Sequence, residues 1–321
     1  MKYGKIIGTG KYLPKRILTN IDLEQIIDTT DDWIYSRTGI KERRIADDET
    51  CYDLAILAAK DALKASELDP ENIDLIIVAT MTAEYATPAI SCLVQKAIGA
   101  KNALAFDLSA ACSGFVFAIH TANQFIMNGT FNNALIIGSE KLSNIINWED
   151  RNTCVLFGDG AGAVVVEASE EQGIIETICR SVGEDYACLT AGIKRIKTPF
   201  KNVNIEQDFI EMEGREVFEF ACTKVPQCIE EVLEKAKLEK SDIDYYILHQ
   251  ANTRIISKVA KKLSEPLDKF YTNMEFYGNT SSASIGIALD EMVKAGKLKN
   301  KKVILAGFGA GLTYGASIIQ F

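Results

Sequence analysis

The sequence predicts an α/β fold in which two similarly folded halves pack together. Apolar runs rich in Ile, Val and Leu alternate with segments of helical periodicity, a pattern typical of a mostly parallel sheet covered by helices. Residues 72–78 also resemble 242–248, and residues 134–138 resemble 303–307 at nearly the same offset. Two matches at one offset indicate an internal repeat, although buried strands that merely look alike would give the same pattern.

The repeat divides the chain into residues 1–170 and residues 171–321. No stretch rich in Pro, Gly or Ser separates them, and the chain contains only six prolines. We therefore predict two pseudo-symmetric halves packed without a flexible joint. Their strands are expected over residues 73–79, 103–108, 134–137, 162–166, 243–248 and 303–306.

Three helix starts can be predicted from local patterns. Thr50 and Asp53 resemble a capping box that opens a helix. Thr87 followed by Pro88 resembles an N-cap with a first-turn proline. A third helix is expected after Cys112, because apolar residues recur there with helical spacing.

The composition describes a folded protein of a reducing compartment. The chain has 321 residues, of which 47% are hydrophobic and 25% charged, so it can bury a large core. The eight cysteines form no CxxC pair, and we expect them to be reduced thiols. No long apolar run or signal-like segment occurs, which predicts a cytoplasmic protein without a membrane partner.

Residue counts disfavour two classes of function. Only two histidines are present, so a metal site built on imidazoles is nearly excluded, and we predict neither a metal nor another cofactor. A net charge of −9 argues against nucleic acid as a partner, because phosphate contacts need a basic surface.

Cys112 is the first candidate for chemistry. It lies where a predicted strand, ending near Leu108, turns into a helix. Free backbone N–H groups and the positive end of the helix dipole would favour a thiolate there and could hold an oxyanion. The alternative interpretation is a merely buried thiol.

Two further candidates lie in the second half. His249 directly follows the apolar run 246–248, and Asn279 lies in a turn of small polar residues that enters a helix. Asn279 could instead be an Asx turn or a helix cap. If the halves are related by a dyad, Cys112 meets both residues, and a histidine with an amide can stabilise an enolate beside a nucleophile.

Other patterns carry weaker signals. His120 lies off the apolar stripe of its helix, so we expect a partly exposed histidine without a catalytic role. The glycine-rich stretches 8–10 and 158–162 lack the strand–glycine–helix context of a dinucleotide site. The loop containing Ala310 could donate an N–H to an oxyanion or could be only a tight turn.

Basic and aromatic side chains predict an anionic partner. Four basic side chains fall on one face of a predicted helix: Arg254, Lys258, Lys261 and Lys262. On an acidic protein this face suggests a docking surface, although it could be ordinary solvated surface. Three further side chains could supply a stacking surface and phosphate contacts for a nucleotide-bearing substrate: Trp33, Arg37 and Arg151.

At these residues the chain resembles a β-ketoacyl-acyl-carrier-protein synthase III, the condensing enzyme that initiates dissociated fatty acid synthesis. The matching segments span the chain: IIGTGKYLP, DDWIYSRTGI, AFDLSAACSGF, VLFGDGAGA, HQAN, GNTSSAS and FGAGLTYG. The resemblance implies a thiolase-like fold, a homodimer, and a catalytic triad of Cys112, His249 and Asn279. It also implies acyl-CoA and malonyl-acyl-carrier protein (malonyl-ACP) as substrates.

The resemblance assigns further roles. Cys112 and Ala310 would supply the oxyanion hole. Four residues match positions that contact CoA: Trp33, Arg37, Arg151 and Asn252. The basic face would dock the acyl carrier protein, but Glu219 stands where some relatives carry a lysine of that surface. Thr87 replaces a bulky aromatic that closes the primer pocket in some members, which predicts longer or branched primers.

The sequence leaves three alternative functions open. A papain-like cysteine hydrolase also presents Cys, His and Asn in this order, although its cysteine lies near the mature N-terminus. A catalytically silent scaffold that binds a carrier protein belongs to a different class. Plant-type polyketide synthases and other specialised condensing enzymes share the expected fold and triad.

Overall fold

The computed structural model describes residues 2–192 and 209–321. The strands are β1 (Tyr3–Tyr12), β2 (Arg16–Thr19), β3 (Glu42–Ile45), β4 (Leu75–Ala79), β5 (Leu104–Leu108), β6 (Asn133–Glu140), β7 (Gly160–Ser169), β8 (Ile174–Ser181), β9 (Leu189–Ala191), β10 (Ile210–Met212), β11 (Tyr245–Leu248), β12 (Lys302–Gly309) and β13 (Thr313–Gln320). The α-helices are α1 (Asn20–Leu23), α2 (Asp31–Thr38), α3 (Cys51–Ser66), α4 (Ile90–Ile98), α5 (Gly114–Met127), α6 (Gly214–Ala236), α7 (Thr253–Leu263), α8 (Met274–Tyr277) and α9 (Ala283–Lys294).

Two mixed sheets form the framework. A five-stranded sheet has the order β1-β7-β6-β4-β5, and a four-stranded sheet has the order β11-β12-β13-β8. Among the described strands of these two sheets, only β4 with its two neighbours and β11 with β12 pair in parallel. The prediction of a mostly parallel sheet was therefore wrong in part. No crossover helix separates β6 from β7 or β12 from β13, so these strands run antiparallel.

The same arrangement occurs in both sheets. In the first, the carboxylate of Asp74 accepts the N–H of Asn133 at 3.0 Å, just before β4 and β6 begin to pair. In the second, the carboxylate of Asp244 accepts the N–H of Lys302 at 2.9 Å before β11 and β12 pair. The sequences of these strands resemble one another, and the repeated contact shows that this internal repeat reflects a repeated fold.

The helices form layers around the sheets. Helices α5 and α9 contact strands of both sheets and so form the central layer, while α3 packs on the outside of the first sheet and α6 on the outside of the second. Phe115 and Ile119 of α5 and Ile285 of α9 are fully buried. The beginnings of α5 and α9 therefore lie deep inside the molecule, where the two sheets approach each other.

The predicted helix starts have mixed outcomes. Thr50 and Asp53 form the expected capping box of α3. The prediction for Thr87 and Pro88 was wrong, because α4 begins only at Ile90. The carboxylate of Asp107 in β5 accepts the first N–H groups of α4, at 2.7 and 2.9 Å, so this helix start is capped from another element. Among the described residues, no helix is long and apolar enough to cross a membrane.

Candidate active site

Cys112 lies in a tight turn between β5 and α5. It belongs to a single 3₁₀ turn, and Ala111 before it adopts a left-handed conformation with φ of 46°. Gly309 at the end of β12 passes directly beside this turn, and a Cβ there would lie only 2.6 Å from the backbone nitrogen of Cys112. Glycine at position 309 therefore allows the loop containing Ala310 to approach the cysteine closely.

His249 emerges from the carboxyl end of β11. Its backbone N–H donates to the carbonyl of Ala306 at 2.8 Å, which fixes it to the neighbouring strand β12. The ring Nδ1 lies 2.7 Å from the hydroxyl of Ser284 in α9. Phe308 packs edge-on against the ring at 5.2 Å between centroids. With Nδ1 engaged by Ser284, Nε2 is the ring nitrogen left for a substrate.

Asn279 is held by its backbone and by its side chain. Its N–H donates to the carbonyl of Leu156 at 2.8 Å. Its side-chain Oδ1 accepts the backbone N–H of Ser281 at 2.8 Å. Because the oxygen of the amide is occupied, the NH₂ group is the part of the side chain that remains as a donor.

Cys112, His249, Asn279 and Ala310 line one cavity. The cysteine belongs to the first sheet's half of the chain, and the other three residues belong to the second. The remaining walls are mainly apolar: Met81, Leu156, Phe157, Leu189, Met212, Val217, Phe218, Ile255 and Phe308. The arrangement can hold an acyl chain in an apolar space with a thiol and two hydrogen-bond donors at its end.

Burial determines the protonation states in the cavity. It raises the pKa of the Cys112 thiol to about 12, an effect that Ser281 partly offsets and Glu140 reinforces. It also lowers the pKa of His249 to about 3. Both shifts favour the neutral forms of the two groups near pH 7. Burial therefore opposes the thiolate that the start of a helix would favour.

A second depression continues outward from the cavity. It shares Leu156, Met212 and Phe218 with the cavity and is also lined by Trp33 and Arg37. The guanidinium group of Arg37 lies 4.5 Å from the centre of the Trp33 ring, and that of Arg151 lies 4.7 Å from it. These three predicted residues therefore form one cluster.

Asn252 connects this cluster to α7. Its side-chain amide donates to the carbonyl of Arg37 at 3.1 Å, and its side-chain oxygen caps α7 by accepting the N–H of Arg254 at 2.8 Å. Asn252 lines both the cavity and the outer depression. It therefore lies where the two meet.

The predicted basic face lies on α7, beside the mouth of the cavity. Its four side chains are exposed, while the opposite side of the helix is buried: Arg254, Lys258, Lys261 and Lys262 face outward. Glu219 on α6 is also exposed, and Nε of Arg215 lies 3.0 Å from its carboxylate. The negative charge at position 219 is therefore balanced by a neighbouring arginine on the same helix.

Two residues considered from the sequence lie elsewhere. Thr87 is exposed and does not line the cavity of its own chain, so the primer-pocket hypothesis depends on a partner chain. His120 is half-buried on α5 and is not part of the cavity.

The sequence interpretation missed three polar residues behind the cavity. Ser284 holds His249, Ser281 holds Asn279, and the fully buried Glu140 accepts from the hydroxyl of Ser281 at 3.1 Å. Both serines belong to the run of small polar residues 278–284 that contains Asn279, which was a usable signal. A glutamate at the end of the apolar strand β6 was a second signal.

Comparisons with known proteins agree with this geometry. The profile of 3-oxoacyl-[acyl-carrier-protein] synthase III matches residues 106–183, and that of its C-terminal domain matches residues 233–321. The beta-ketoacyl-[acyl-carrier-protein] synthase III of Clostridium acetobutylicum is 49% identical over 319 residues, which cover 99% of this chain and 98% of that protein.

Solved structures show the same similarity. The crystal structure of 3-oxoacyl-[acyl-carrier-protein] synthase III from Aquifex aeolicus has a TM-score of 0.93 and 48% identity, covering 99% of this chain and 100% of that one. The priming beta-ketosynthase of the R1128 polyketide pathway has a TM-score of 0.93 and 35% identity, covering 100% of this chain and 96% of that one. The predicted two-half thiolase-like fold is confirmed.

Proposed function

Because the chain belongs to the 3-oxoacyl-[acyl-carrier-protein] synthase III family, we propose that it joins an acyl-CoA primer to malonyl-ACP and so initiates fatty acid synthesis. The products are 3-oxoacyl-ACP, CoA and CO₂. The observation that carries this proposal is the single cavity lined by Cys112, His249 and Asn279. Family membership argues against a papain-like hydrolase, and the complete triad argues against a silent scaffold.

The first half-reaction transfers the acyl group to Cys112. The sulfur attacks the thioester carbonyl, and the bond between the acyl carbon and the CoA sulfur breaks. The cysteine thiol loses one proton, and the released CoA thiolate gains one to become a thiol. The backbone N–H groups of Cys112 and Ala310 stabilise the oxyanion of the tetrahedral intermediate. The raised pKa of the thiol favours its protonated form at rest, so the thiol must lose its proton as the sulfur attacks.

The second half-reaction uses His249 and Asn279. When Ser284 donates to Nδ1 of His249, the imidazole proton lies on Nε2 and can be donated to the malonyl thioester carbonyl. The Asn279 amide donates to the same oxygen. Loss of CO₂ leaves an enolate that attacks the acyl-Cys112 thioester and displaces the sulfur. The lowered pKa of His249 keeps the imidazole neutral throughout the physiological range.

We assign the outer depression to CoA. The guanidinium groups of Arg37 and Arg151 lie over the indole ring of Trp33, so this cluster combines an aromatic surface with two groups that suit phosphates. Asn252 lies between this surface and the cavity, on the path that a pantetheine arm would follow. The exposed face of α7 next to it would receive the acidic carrier protein.

Condensation with a panel of acyl-CoA primers tests the proposed function and the role of Thr87. We expect 3-oxoacyl-ACP from malonyl-ACP with both acetyl-CoA and isobutyryl-CoA, measured by mass spectrometry of the carrier protein. Threonine leaves more space than a bulky aromatic would. Strict acetyl preference would remove the primer hypothesis, whereas no condensation with any primer would overturn the proposed function.

Reversing two charges on α7 tests the docking surface. We expect Lys261→Glu with Lys262→Glu to raise KM for malonyl-ACP by about tenfold, because rim charges steer association. The acylation rate with acyl-CoA should stay unchanged. The matched control is Lys60→Glu with Lys64→Glu, an exposed pair on α3. An equal effect of both double variants would show that only net charge matters.

We also propose a cytoplasmic homodimer of two-half subunits, 1–170 and 171–321. All eight cysteines carry free thiols, which suits a reducing compartment. Strand β5 is at the edge of its sheet, and Leu104 on it is 48% exposed. Tyr85, in the segment that contains Thr87, is 49% exposed. Pairing of two β5 edges would cover these apolar side chains and bring Thr87 close to a partner.

A further inference from the structure

Glu140 is a buried carboxylate that the two half-reactions do not use directly. It is the last residue of β6 and has no exposed surface. No lysine or arginine in the described parts of the chain forms a salt bridge with it. Burial raises the pKa of its carboxyl, and hydrogen bonds offset part of that effect. Such a group is costly to bury, so its hydrogen bonds matter.

The two carboxyl oxygens of Glu140 face opposite halves of the molecule. Oε2 accepts from the backbone N–H of Met81 at 3.2 Å and from the hydroxyl of Thr82 at 2.7 Å, both in the segment after β4. Oε1 accepts from the hydroxyl of Ser281 at 3.1 Å and lies 2.9 Å from that of Ser282, in the turn before α9. Glu140 therefore connects the two halves immediately behind the cavity.

The turn that Glu140 holds also fixes the reactive amide. Ser281 adopts a left-handed conformation with φ of 48°, a strained geometry that needs support for a residue other than glycine. Its backbone N–H occupies Oδ1 of Asn279. If Ser281 loses its anchor to Glu140, it can relax and release the Asn279 amide to rotate.

We propose that Glu140 is a positioning residue for decarboxylation: through Ser281 it holds the NH₂ group of Asn279 toward the malonyl thioester oxygen. This inference rests on the proposed function. Acylation of Cys112 does not use the Asn279 amide, so Glu140 should affect the two half-reactions unequally.

Glu140→Gln is a sharp test because it keeps the size of the side chain. The backbone N–H of Met81 can only donate, so the glutamine oxygen must face it and the glutamine NH₂ must face Ser281. That orientation reverses the bond: the Ser281 hydroxyl can only accept from the glutamine NH₂, so it must rotate, and its own proton loses the acceptor that Glu140 provides. We expect decarboxylation of malonyl-ACP to fall about 10- to 100-fold, since small misplacements of a reacting group have effects of that size.

The acylation of Cys112 is measured on the same samples by intact mass after addition of acetyl-CoA. It should not fall more than about threefold below wild type, because loss of the Glu140 charge lowers the pKa of the Cys112 thiol and so does not hinder its deprotonation. Retained acylation also shows that the protein is folded. The matched control is Asp290→Asn, a change to another fully buried carboxylate. Asp290 lies on α9 and accepts a hydrogen bond from the hydroxyl of Thr9 in β1. This control should leave the ratio of the two rates unchanged.

Two further variants separate positioning from general loss of structure. In an Asn279→Ala background, Glu140→Gln should lower decarboxylation less than about twofold, because the group that it positions is already absent. Ser281→Ala should lower decarboxylation as Glu140→Gln does. Only decarboxylation is compared for this variant, since Ser281 also adjoins the sulfur of Cys112.

The outcomes are distinguishable. An unchanged decarboxylation rate in Glu140→Gln, an equal fall in both half-reactions, or a full effect in the Asn279→Ala background would each overturn the positioning role. If Glu140→Gln does not fold, a normal decarboxylation rate in Ser281→Ala overturns it instead. A wild-type protein that does not decarboxylate malonyl-ACP would overturn the proposed function itself.

Discussion

Cys112→Ala is expected to abolish the acyl adduct with every acyl-CoA and to lower condensation by at least about 1,000-fold. Alanine cannot form a thioester, and no other cysteine among the described residues lines the cavity. Intact-mass measurement after addition of the acyl-CoA panel reports the adduct. Mass spectrometry of the carrier protein reports the condensation product.

The same variant should keep decarboxylating malonyl-ACP, because the two donors to the thioester oxygen remain. A suitable control is Cys228→Ala, since Cys228 is also buried but lies on α6 outside the cavity. That control should acquire the adduct at the wild-type rate. If the adduct persists in Cys112→Ala and disappears in Cys228→Ala, Cys112 is not the nucleophile.

Much of the fold follows from local patterns. A strand that is buried on both faces is mostly apolar, so β4, β6, β11 and β12 could be located from their Ile, Val and Leu runs. The similarity between the two pairs of strands predicted the two halves. Strand direction could not be predicted in the same way. It depends on whether a connection crosses the sheet, as before β6, or turns back, as between β12 and β13.

The candidate site could be predicted only as far as its residues carry their own signal. Cys112 and His249 each follow an apolar run and precede a helix, which is visible along the chain. The contact between Glu140 and Ser281 joins residues 141 positions apart, and no local pattern announces it.

The effect of burial on the pKa of the Cys112 thiol was also beyond local prediction. It depends on how completely the two halves exclude water around Cys112, which is 6% exposed. A turn at the start of a helix would favour the thiolate in a more open setting. The pKa shifts of the site could therefore be inferred only from the packed structure, whereas Cys112 and His249 could be proposed from the sequence.

His249→Ala and Asn279→Ala are expected to separate the two half-reactions. Each removes one donor to the malonyl thioester oxygen, and loss of such a donor lowers rates by about 100- to 1,000-fold. Acylation of Cys112 relies on backbone N–H groups instead, so the adduct with acetyl-CoA should still form. Release of CO₂ from malonyl-ACP and the mass of the enzyme report the two steps on one sample.

The chain supplies matched controls for both substitutions. His120→Ala changes its other histidine, which is half-buried on α5, and Asn123→Ala changes a buried asparagine that accepts the N–H of Gly4 in β1. Neither residue lines the cavity, so both controls should retain both steps. If His249→Ala loses acylation together with decarboxylation, the imidazole also removes the proton from Cys112. Its role would then include the first half-reaction as a base.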